Sequence, residues 1–236
     1  MYLKLTPYAG ALLLLQGLAA CSGENNPQSP ATGAQVEASQ DVAASTPAAD
    51  TKLVLAFGDS LYAGYGVRSD ESFPAKLERA LVAKGIAAKV VNAGVSGNTT
   101  AAALSRLAFT LEGLERKPDL AMISLGGNDM LRGIDPAETR ANLDKICAEL
   151  KKRGIPILIT GMVAAPNMGQ DYVQRFNAIF TDLAKTYDAR LYPFFLDGVI
   201  MDRGLMLPDH VHPNPAGIDR IVGRVEPLVA QALTPS

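Results

Sequence analysis

The chain has little of several residue types that often indicate a function. It contains no tryptophan, only two cysteines and only two histidines among 236 residues. Cys21 and Cys147 lie far apart and form no Cys-x-x-Cys pair or Cys/His cluster, so neither a structural metal nor a disulfide framework is expected. The formal net charge of −2 offers no basic excess for phosphate groups. Nucleic acid is therefore not an expected partner.

The N-terminal 20 residues resemble a targeting signal. Lys4 is their only charged residue, and the apolar run that follows it is too short to span a bilayer. The sequence "LAAC" at 18–21 resembles a bacterial lipobox, which implies a signal peptide over 1–20 and a lipid on Cys21. With Ser22 next, the resemblance implies a lipid anchor in the outer membrane, facing the periplasm. The alternative is an ordinary secretory signal in which Cys21 is incidental.

The segment that follows Cys21 has the composition of a tether. Residues 22–50 contain no aromatic residue, and their only large aliphatic side chains are two valines. Such a segment cannot bury enough apolar surface to offset chain entropy, so a disordered tether is predicted over 21–50. As a flexible coil it reaches about 30 Å. One folded domain is predicted over 51–236.

Within that domain, short apolar runs alternate with segments of helical periodicity. The apolar runs lack period-two alternation, which is typical of strands covered on both faces. The pattern predicts an α/β fold, a three-layer α/β/α sandwich around a five-stranded parallel sheet. The predicted strands are 53–57, 88–92, 119–125, 155–160 and 189–194, and the predicted helices are 74–84, 99–114, 136–153, 172–185 and a last helix through Val229.

Two of these helices have apolar stripes that predict which side chains enter the core. In helix 99–114 the stripe is Leu104, Leu107, Ala108, Leu111 and Leu114. In helix 136–153 it is Leu143, Ile146, Cys147 and Leu150. Cys147 is therefore predicted to be a small core residue and not a reactive thiol.

Ser60 is the candidate nucleophile, because it directly follows the first strand. Sites in open parallel sheets form beyond the carboxyl ends of the strands. Tyr62 breaks the G-x-S-x-G pattern of α/β-hydrolases, so that fold is disfavoured. A serine needs a base held by a third group. The two histidines are His210 and His212, and an aspartate at i and an imidazole at i+3 can meet in a turn, which favours His212. The alternative is a polar turn before the last helix.

The loops after the second and third strands offer candidate donors for an oxyanion. Gly97 allows close backbone approach, so its N–H is one candidate. Asn128 offers a neutral amide where a carboxylate would repel an anion. Each motif alone is weak, because Gly-Asn pairs are common in turns. Four motifs on one rim of the sheet are much stronger together.

Four segments resemble, in order and spacing, the conserved blocks of the SGNH (GDSL) hydrolase family. They are "FGDSLYAGYG", "NAGVSGNTT", "LGGND" and "PDHVHPN", and the likeness covers roughly 53–230. "LRG" at 131–133 and "PFF" at 193–195 resemble the bacterial multifunctional thioesterase, lysophospholipase and arylesterase subgroup. The resemblance implies a flavodoxin-like fold.

The resemblance also implies roles for individual residues. Ser60 would be the nucleophile, His212 the base and Asp209 its partner. The oxyanion hole would consist of the backbone N–H groups of Ser60 and Gly97 and the side-chain amide of Asn128. No cofactor is implied.

Three residues next to these need their own interpretation. Many family members have glycine where this chain has His210, a change that restricts the backbone and places a second imidazole beside the triad. Asp59 and Asp129 are expected to hold the loops by hydrogen bonds, although a metal site or a carboxylate pair for glycoside hydrolysis is the alternative.

The expected activity is hydrolysis of carboxylic esters through an acyl-enzyme. The subgroup implies short- to medium-chain acyl esters, aryl esters, thioesters or lysophospholipids as small-molecule or lipid substrates. Met162, Val163 and Met168 are candidates to line an acyl channel, although they could simply pack their loop. Two other functions stay open, a polysaccharide O-deacetylase of the same fold and a non-catalytic envelope lipoprotein.

Overall fold

The computed structural model describes residues 51–234. The predicted signal peptide, the lipidation site Cys21 and the tether over 21–50 lie outside the described residues. Five strands form one parallel sheet in the order β2-β1-β3-β4-β5, which confirms the predicted fold class. The strands are β1 (Lys52–Gly58), β2 (Ala88–Gly94), β3 (Leu120–Ser124), β4 (Ile157–Thr160) and β5 (Arg190–Tyr192).

Helices flank the sheet in two packed groups. One group pairs α2 with α7, and in the other α5 packs against both α3 and α6. The five long helices are α2 (Phe73–Ala83), α3 (Thr100–Glu112), α5 (Pro136–Lys152), α6 (Gln170–Tyr187) and α7 (Pro215–Leu233), and two short ones are α1 (Ser60–Ala63) and α4 (Gly127–Leu131). The two short helices were not predicted, because a single turn has no measurable periodicity. None of the helices within 51–234 combines the length and the hydrophobicity needed to cross a bilayer.

The burial of the strands follows their place in the sheet. The central strands β3 and β4 are buried at every residue, and β1 is buried at all but its first. The edge strands β2 and β5 are partly exposed, since each has only one neighbour. The strands of unbroken apolar sequence therefore form the centre of the core.

The predicted stripe of α5 is confirmed, and that of α3 is confirmed only in part. In α5, the four predicted residues from Leu143 to Leu150 are all buried, and burial raises the pKa of the Cys147 thiol to about 12. Cys147 is thus an inert core residue.

In the stripe predicted for α3, Leu107 and Leu111 are buried as predicted, whereas Leu104 and Leu114 are only half-buried. Ala108 is exposed, and Ala103 is buried instead. The buried face of α3 follows i, i+4 and i+8 spacing, which turns Ala108 toward solvent.

The strand order places the candidate site. From β1 the chain continues to β2 on one side, and β3 pairs on the other side of β1. The connections after β1 and β3 therefore leave the sheet in different directions and open a crevice between them at their carboxyl ends. The short helices α1 and α4 begin at this crevice, and they carry Ser60 and Asn128.

Candidate active site

Ser60 is held by the turn that ends β1. It is the first residue of α1, and the carboxylate of Asp59 accepts a hydrogen bond from the Leu61 N–H at 3.0 Å, which caps that helix. The next residue, Tyr62, is fully buried, and its hydroxyl lies 2.9 Å from the Thr160 hydroxyl on β4. The tyrosine that departs from the G-x-S-x-G pattern thus anchors the serine turn in the core.

His212 connects Ser60 to Asp209. Its Nε2 lies 2.8 Å from the Ser60 Oγ, and its Nδ1 lies 2.7 Å from the Asp209 carboxylate. The structure therefore brings together the three predicted side chains, although 152 positions separate the serine from the histidine. Protonation of Nδ1 toward Asp209 leaves Nε2 free to accept the serine proton.

Asp209 is held in its ionised form. Its partial desolvation favours the neutral acid, but hydrogen bonds from the backbone and ring of His212 and from the Val211 N–H outweigh it. Together they lower the pKa of Asp209 to about 2. At neutral pH the carboxylate is therefore a charged acceptor that fixes the imidazole ring.

His210 occupies a left-handed backbone conformation in the same loop. Its φ is +57°, a region that glycine enters freely and other residues at a cost. The loop is closed by the Leu207 N–H, which donates to the His212 carbonyl at 2.7 Å. A glycine would enter this conformation freely, and His210 adopts it despite its Cβ. Its side chain is exposed at the mouth of the site.

Asp59 and Asn128 link the first and third loops. The Asn128 amide donates to the Asp59 carboxylate at 3.3 Å, and its second hydrogen stays available for another acceptor. Asp59 is buried, and this desolvation raises its pKa to about 6. The carboxylate thus orients the amide that was predicted to face an oxyanion.

Two arginines hold the second loop, where Gly97 has a φ of +79°. The guanidinium of Arg132, from the "LRG" segment, donates to the Gly97 carbonyl at 2.9 Å. Arg106 donates to the Asn98 side chain at 2.7 Å and to the Gly58 carbonyl at 2.9 Å. The guanidinium of Arg106 therefore joins the end of β1 to the Gly97 loop.

The backbone N–H groups of Ser60 and Gly97 lie at this junction. Within residues 51–234, neither N–H donates to a protein acceptor. Both residues line the same cavity as Asn128. All three residues predicted to supply oxyanion donors therefore border one space beside the serine.

Asp129 faces away from that space. It is buried and accepts hydrogen bonds from the backbone and side chain of Thr100 and from the Thr139 hydroxyl. Its partners tie the start of α3 and the first turn of α5 to α4. The geometry agrees with the expected loop-holding role and provides no second carboxylate for glycoside chemistry.

A cavity of about 770 Å³ opens beside Ser60. Of the three residues predicted to line an acyl channel, Met162 and Val163 line it, and Met168 is not among the lining residues. Met168 ends a single 3₁₀ turn, where its N–H donates to the Ala165 carbonyl, and this turn carries it past the cavity.

Much of the cavity wall was not predicted from the sequence. The unpredicted apolar residues come from the loops after β1 and β5 and from the short helix α4 after β3, where no periodicity indicates which side chains face inward. The segments that resemble the family were the available signals, since they contain Tyr65, Leu131, Phe194 and Val211. The unpredicted apolar residues include Tyr65, Met130, Leu131, Phe194, Leu196, Ile200, Met201 and Val211.

At the edge of an apolar cavity, the serine is hydrogen-bonded to an imidazole, which is hydrogen-bonded to a carboxylate. This is the arrangement of a serine hydrolase. The "GDSL-like Lipase/Acylhydrolase family" matches residues 56–220. The chain belongs to this family, the SGNH hydrolases, and is an esterase-family enzyme.

Two relatives and one solved structure are similar to this chain over most of the domain. "Esterase TesA" of Pseudomonas aeruginosa is 36% identical over 188 residues, which cover 80% of this chain and 92% of the relative. "Thioesterase 1/protease 1/lysophospholipase L1" of Escherichia coli is 37% identical over 186 residues, covering 77% and 86%. The chain in the crystal structure of AlinE4, an SGNH-hydrolase family esterase, is 52% identical in sequence to this one. The match covers 78% of this chain and 97% of the AlinE4 chain, with a TM-score of 0.67.

Proposed function

We propose that this protein is a serine esterase that hydrolyses carboxylic esters through an acyl-enzyme on Ser60. The observation that carries the proposal is the continuous hydrogen-bonded chain from Ser60 through His212 to Asp209. It opens on an apolar cavity that is large enough for an acyl or aryl group.

In the first half-reaction, the Ser60 Oγ attacks the ester carbonyl while His212 Nε2 takes its proton. The resulting imidazolium is balanced by the ionised Asp209. Collapse of the tetrahedral intermediate breaks the bond to the leaving oxygen, which receives the proton from His212. In the second half-reaction, water loses a proton to His212 and attacks the acyl carbonyl. The bond from the acyl carbon to the Ser60 Oγ then breaks, the proton passes from His212 to that oxygen, and the acid is released.

Three donors stabilise the negative charge that develops on the carbonyl oxygen. They are the N–H groups of Ser60 and Gly97 and the side-chain amide of Asn128, three residues that line the cavity. One such donor contributes on the order of 3 kcal/mol to the transition state. The hydrogen bonds from Asn128 to Asp59 and from Arg132 to the Gly97 carbonyl hold the groups in place before substrate arrives.

The substrates are short- to medium-chain acyl esters and aryl esters, with thioesters and lysophospholipids as further candidates of the same chemistry. Met162, Val163 and Leu131 provide an apolar wall for such groups. The names of the relatives support this range, since they include an esterase, an arylesterase of Vibrio mimicus and a thioesterase and lysophospholipase.

For the N-terminal segment, we propose that residues 1–20 are removed, that Cys21 is lipidated and that residues 21–50 tether the catalytic domain to the outer membrane on its periplasmic side. The lipobox-like "LAAC" supports this proposal. Labelling of the expressed full chain with a palmitate probe tests it. Label on the native chain and none on Cys21→Ser is expected, and equal labelling of both would contradict it.

The esterase proposal is tested with p-nitrophenyl esters of acetate through dodecanoate. The native chain is expected to hydrolyse the short and medium esters, and Ser60→Ala is expected to lose about 10⁶-fold in kcat, as removal of the nucleophile does in related triads. Ser105→Ala, which removes an exposed serine on α3, is the matched control and retains full activity. Retained hydrolysis in Ser60→Ala would overturn the proposal.

A further inference from the structure

Tyr65 lies over the imidazole of His212. The two ring centroids are 4.4 Å apart and their planes differ by 34°. Asp209 and Ser60 hold the two ring nitrogens in the plane of the imidazole. The tyrosine therefore contacts a face of the imidazole, which these hydrogen bonds to the ring nitrogens leave open.

The backbone of Tyr65 is fixed to the serine turn. The Tyr65 N–H donates to the Ser60 carbonyl at 3.2 Å. The residue whose ring covers the histidine is therefore held to the nucleophile by a backbone hydrogen bond. The flanking residues Gly64 and Gly66 both have left-handed backbones, with φ of +84° and +73°. These conformations end α1 and turn residue 65 back toward the histidine.

Close packing on both sides holds this turn in place. A Cβ on Gly64 would lie 2.7 Å from the Ser72 Cβ, and a Cβ on Gly66 would lie 2.6 Å from a Leu207 methyl. Leu207 in turn donates its N–H to the His212 carbonyl at 2.7 Å. The turn at 64–66 is thus wedged between the start of α2 and the loop that carries the histidine.

The exposure of the tyrosine is unusual for a residue in such a constrained turn. Its side chain is 52% exposed, and within the described part of the chain its hydroxyl has no hydrogen-bond partner. Core packing and hydroxyl bonding therefore do not account for the placement of its ring. The contact with His212 does.

We propose that Tyr65 is a positioning residue for His212, whose aromatic face holds the imidazole in place and favours its protonated form during catalysis. This inference rests on the proposed esterase function. In the proposed mechanism His212 takes up a proton and becomes an imidazolium in both half-reactions. The negative face of an aromatic ring attracts a cation within about 6 Å. The contact is therefore stronger in the transition state than in the resting enzyme, as rate acceleration requires.

The test compares Tyr65→Phe, which keeps the ring, with Tyr65→Leu, which removes it. Tyr65→Phe is expected to stay within about twofold of the native kcat, because the hydroxyl has no role. Tyr65→Leu is expected to lose about three- to tenfold in kcat and in the rate of fluorophosphonate labelling of Ser60, the factor for a modest cation–π contact. Phe109→Leu, at an exposed aromatic on α3, is the matched control and changes neither rate.

The kinetics of Tyr65 variants would differ if the residue only lined the substrate cavity. Because Tyr65 also lines the cavity, the kinetics are measured with both an acetate and an octanoate ester. The proposal predicts the same factor in kcat for both esters and little change in KM. A loss confined to KM that grows with acyl length, or a Tyr65→Phe loss as large as that of Tyr65→Leu, would overturn it. A kcat equal to that of the native chain in Tyr65→Leu would also overturn the proposal.

A spectroscopic measurement separates this inference from the proposed function. The chain has only two histidines, so the imidazole proton signals of His212 can be assigned with a His210→Asn variant. Stacking on Tyr65 is expected to place those signals upfield of their positions in Tyr65→Leu. Unchanged shifts would contradict the stacking. Activity retained in Ser60→Ala would overturn the esterase mechanism instead, whatever the shifts show.

Discussion

The side-chain amide of Asn128 donates a hydrogen bond to the buried carboxylate of Asp59 at 3.3 Å. The same carboxylate caps the helix that begins with Ser60. One aspartate thus fixes both the nucleophile turn after β1 and the amide after β3. The relative position of nucleophile and amide is set by the sheet, because β1 and β3 are hydrogen-bonded neighbours.

Removal of the Asn128 amide tests its proposed contact with the oxyanion. In Asn128→Ala we expect kcat to fall by about 10² to 10³, with little change in KM, because the interaction forms mainly in the transition state. Steady-state kinetics on p-nitrophenyl acetate give both constants. Asn167→Ala, an exposed asparagine in the loop after β4, is the control and retains native values. A kcat within threefold of native in Asn128→Ala would exclude the amide from the oxyanion hole.

Asp59 gives the stability of the protein a defined pH dependence. Burial raises its pKa from 3.8 to about 6, so between pH 4 and 6 the native state binds more protons than the unfolded state. The free energy of unfolding contributed by this group therefore falls as pH rises through that window, by on the order of 3 kcal/mol.

The variant Asp59→Asn removes this contribution. Urea denaturation at pH 4, 5, 6 and 7 is expected to show the variant gaining stability relative to the native chain up to about pH 6, with no further gain above it. Its kcat is expected to fall about tenfold, because the new amide presents a donor to the Asn128 amide. If the unfolding free energies of the variant and the native chain changed in parallel with pH, the raised pKa of Asp59 would be contradicted.

The strands and long helices could be predicted from the sequence because burial leaves a repeated pattern. The unbroken apolar runs predicted β1, β3 and β4, whose residues are buried on both faces. Ala108 was placed wrongly because an alanine fits either face of a helix. The stripe therefore had to be set by its larger neighbours.

The site could be predicted only in part, for a related reason. Ser60, His212 and Asn128 each belong to a polar motif whose chemistry indicates a role. Each could therefore be predicted from the sequence of its own loop. Tyr65 and Met201 could not, since an aromatic or apolar residue in a loop has no period and its neighbour is set by tertiary packing. The predicted Met168 failed to reach the cavity because a local 3₁₀ turn redirects the chain.

Arg106 is expected to support catalysis through the second loop. Its guanidinium reaches both the Asn98 side chain and the Gly58 carbonyl and lies 4.2 Å from the centre of the Phe57 ring. A lysine cannot make the same forked contact, so Arg106→Lys is expected to lower kcat about five- to tenfold by loosening the Gly97 N–H. Arg190→Lys, on a half-buried arginine of β5 that contacts the end of α7, is the matched control. Equal kcat in both variants would contradict this role.

The left-handed backbone at His210 predicts an ordering of stability. At a φ of +57°, a glycine avoids the steric cost of a Cβ, so His210→Gly should be more stable than His210→Ala by about 1 kcal/mol. Thermal or urea unfolding of the two variants measures the difference. Both should retain near-native kcat, since the Asp209 and His212 contacts do not involve the His210 side chain. An alanine variant as stable as the glycine variant would contradict the backbone explanation.

Mass-spectrometric mapping after treatment with a fluorophosphonate tests the central claim most directly. In this reaction the serine oxygen bonds to phosphorus and fluoride leaves, so the adduct marks an activated serine. We predict a single adduct, on the peptide that contains Ser60, and none on Ser60→Ala or on His212→Ala, which lacks the base. An adduct on a different serine, or hydrolysis that persists in Ser60→Ala without one, would contradict the account.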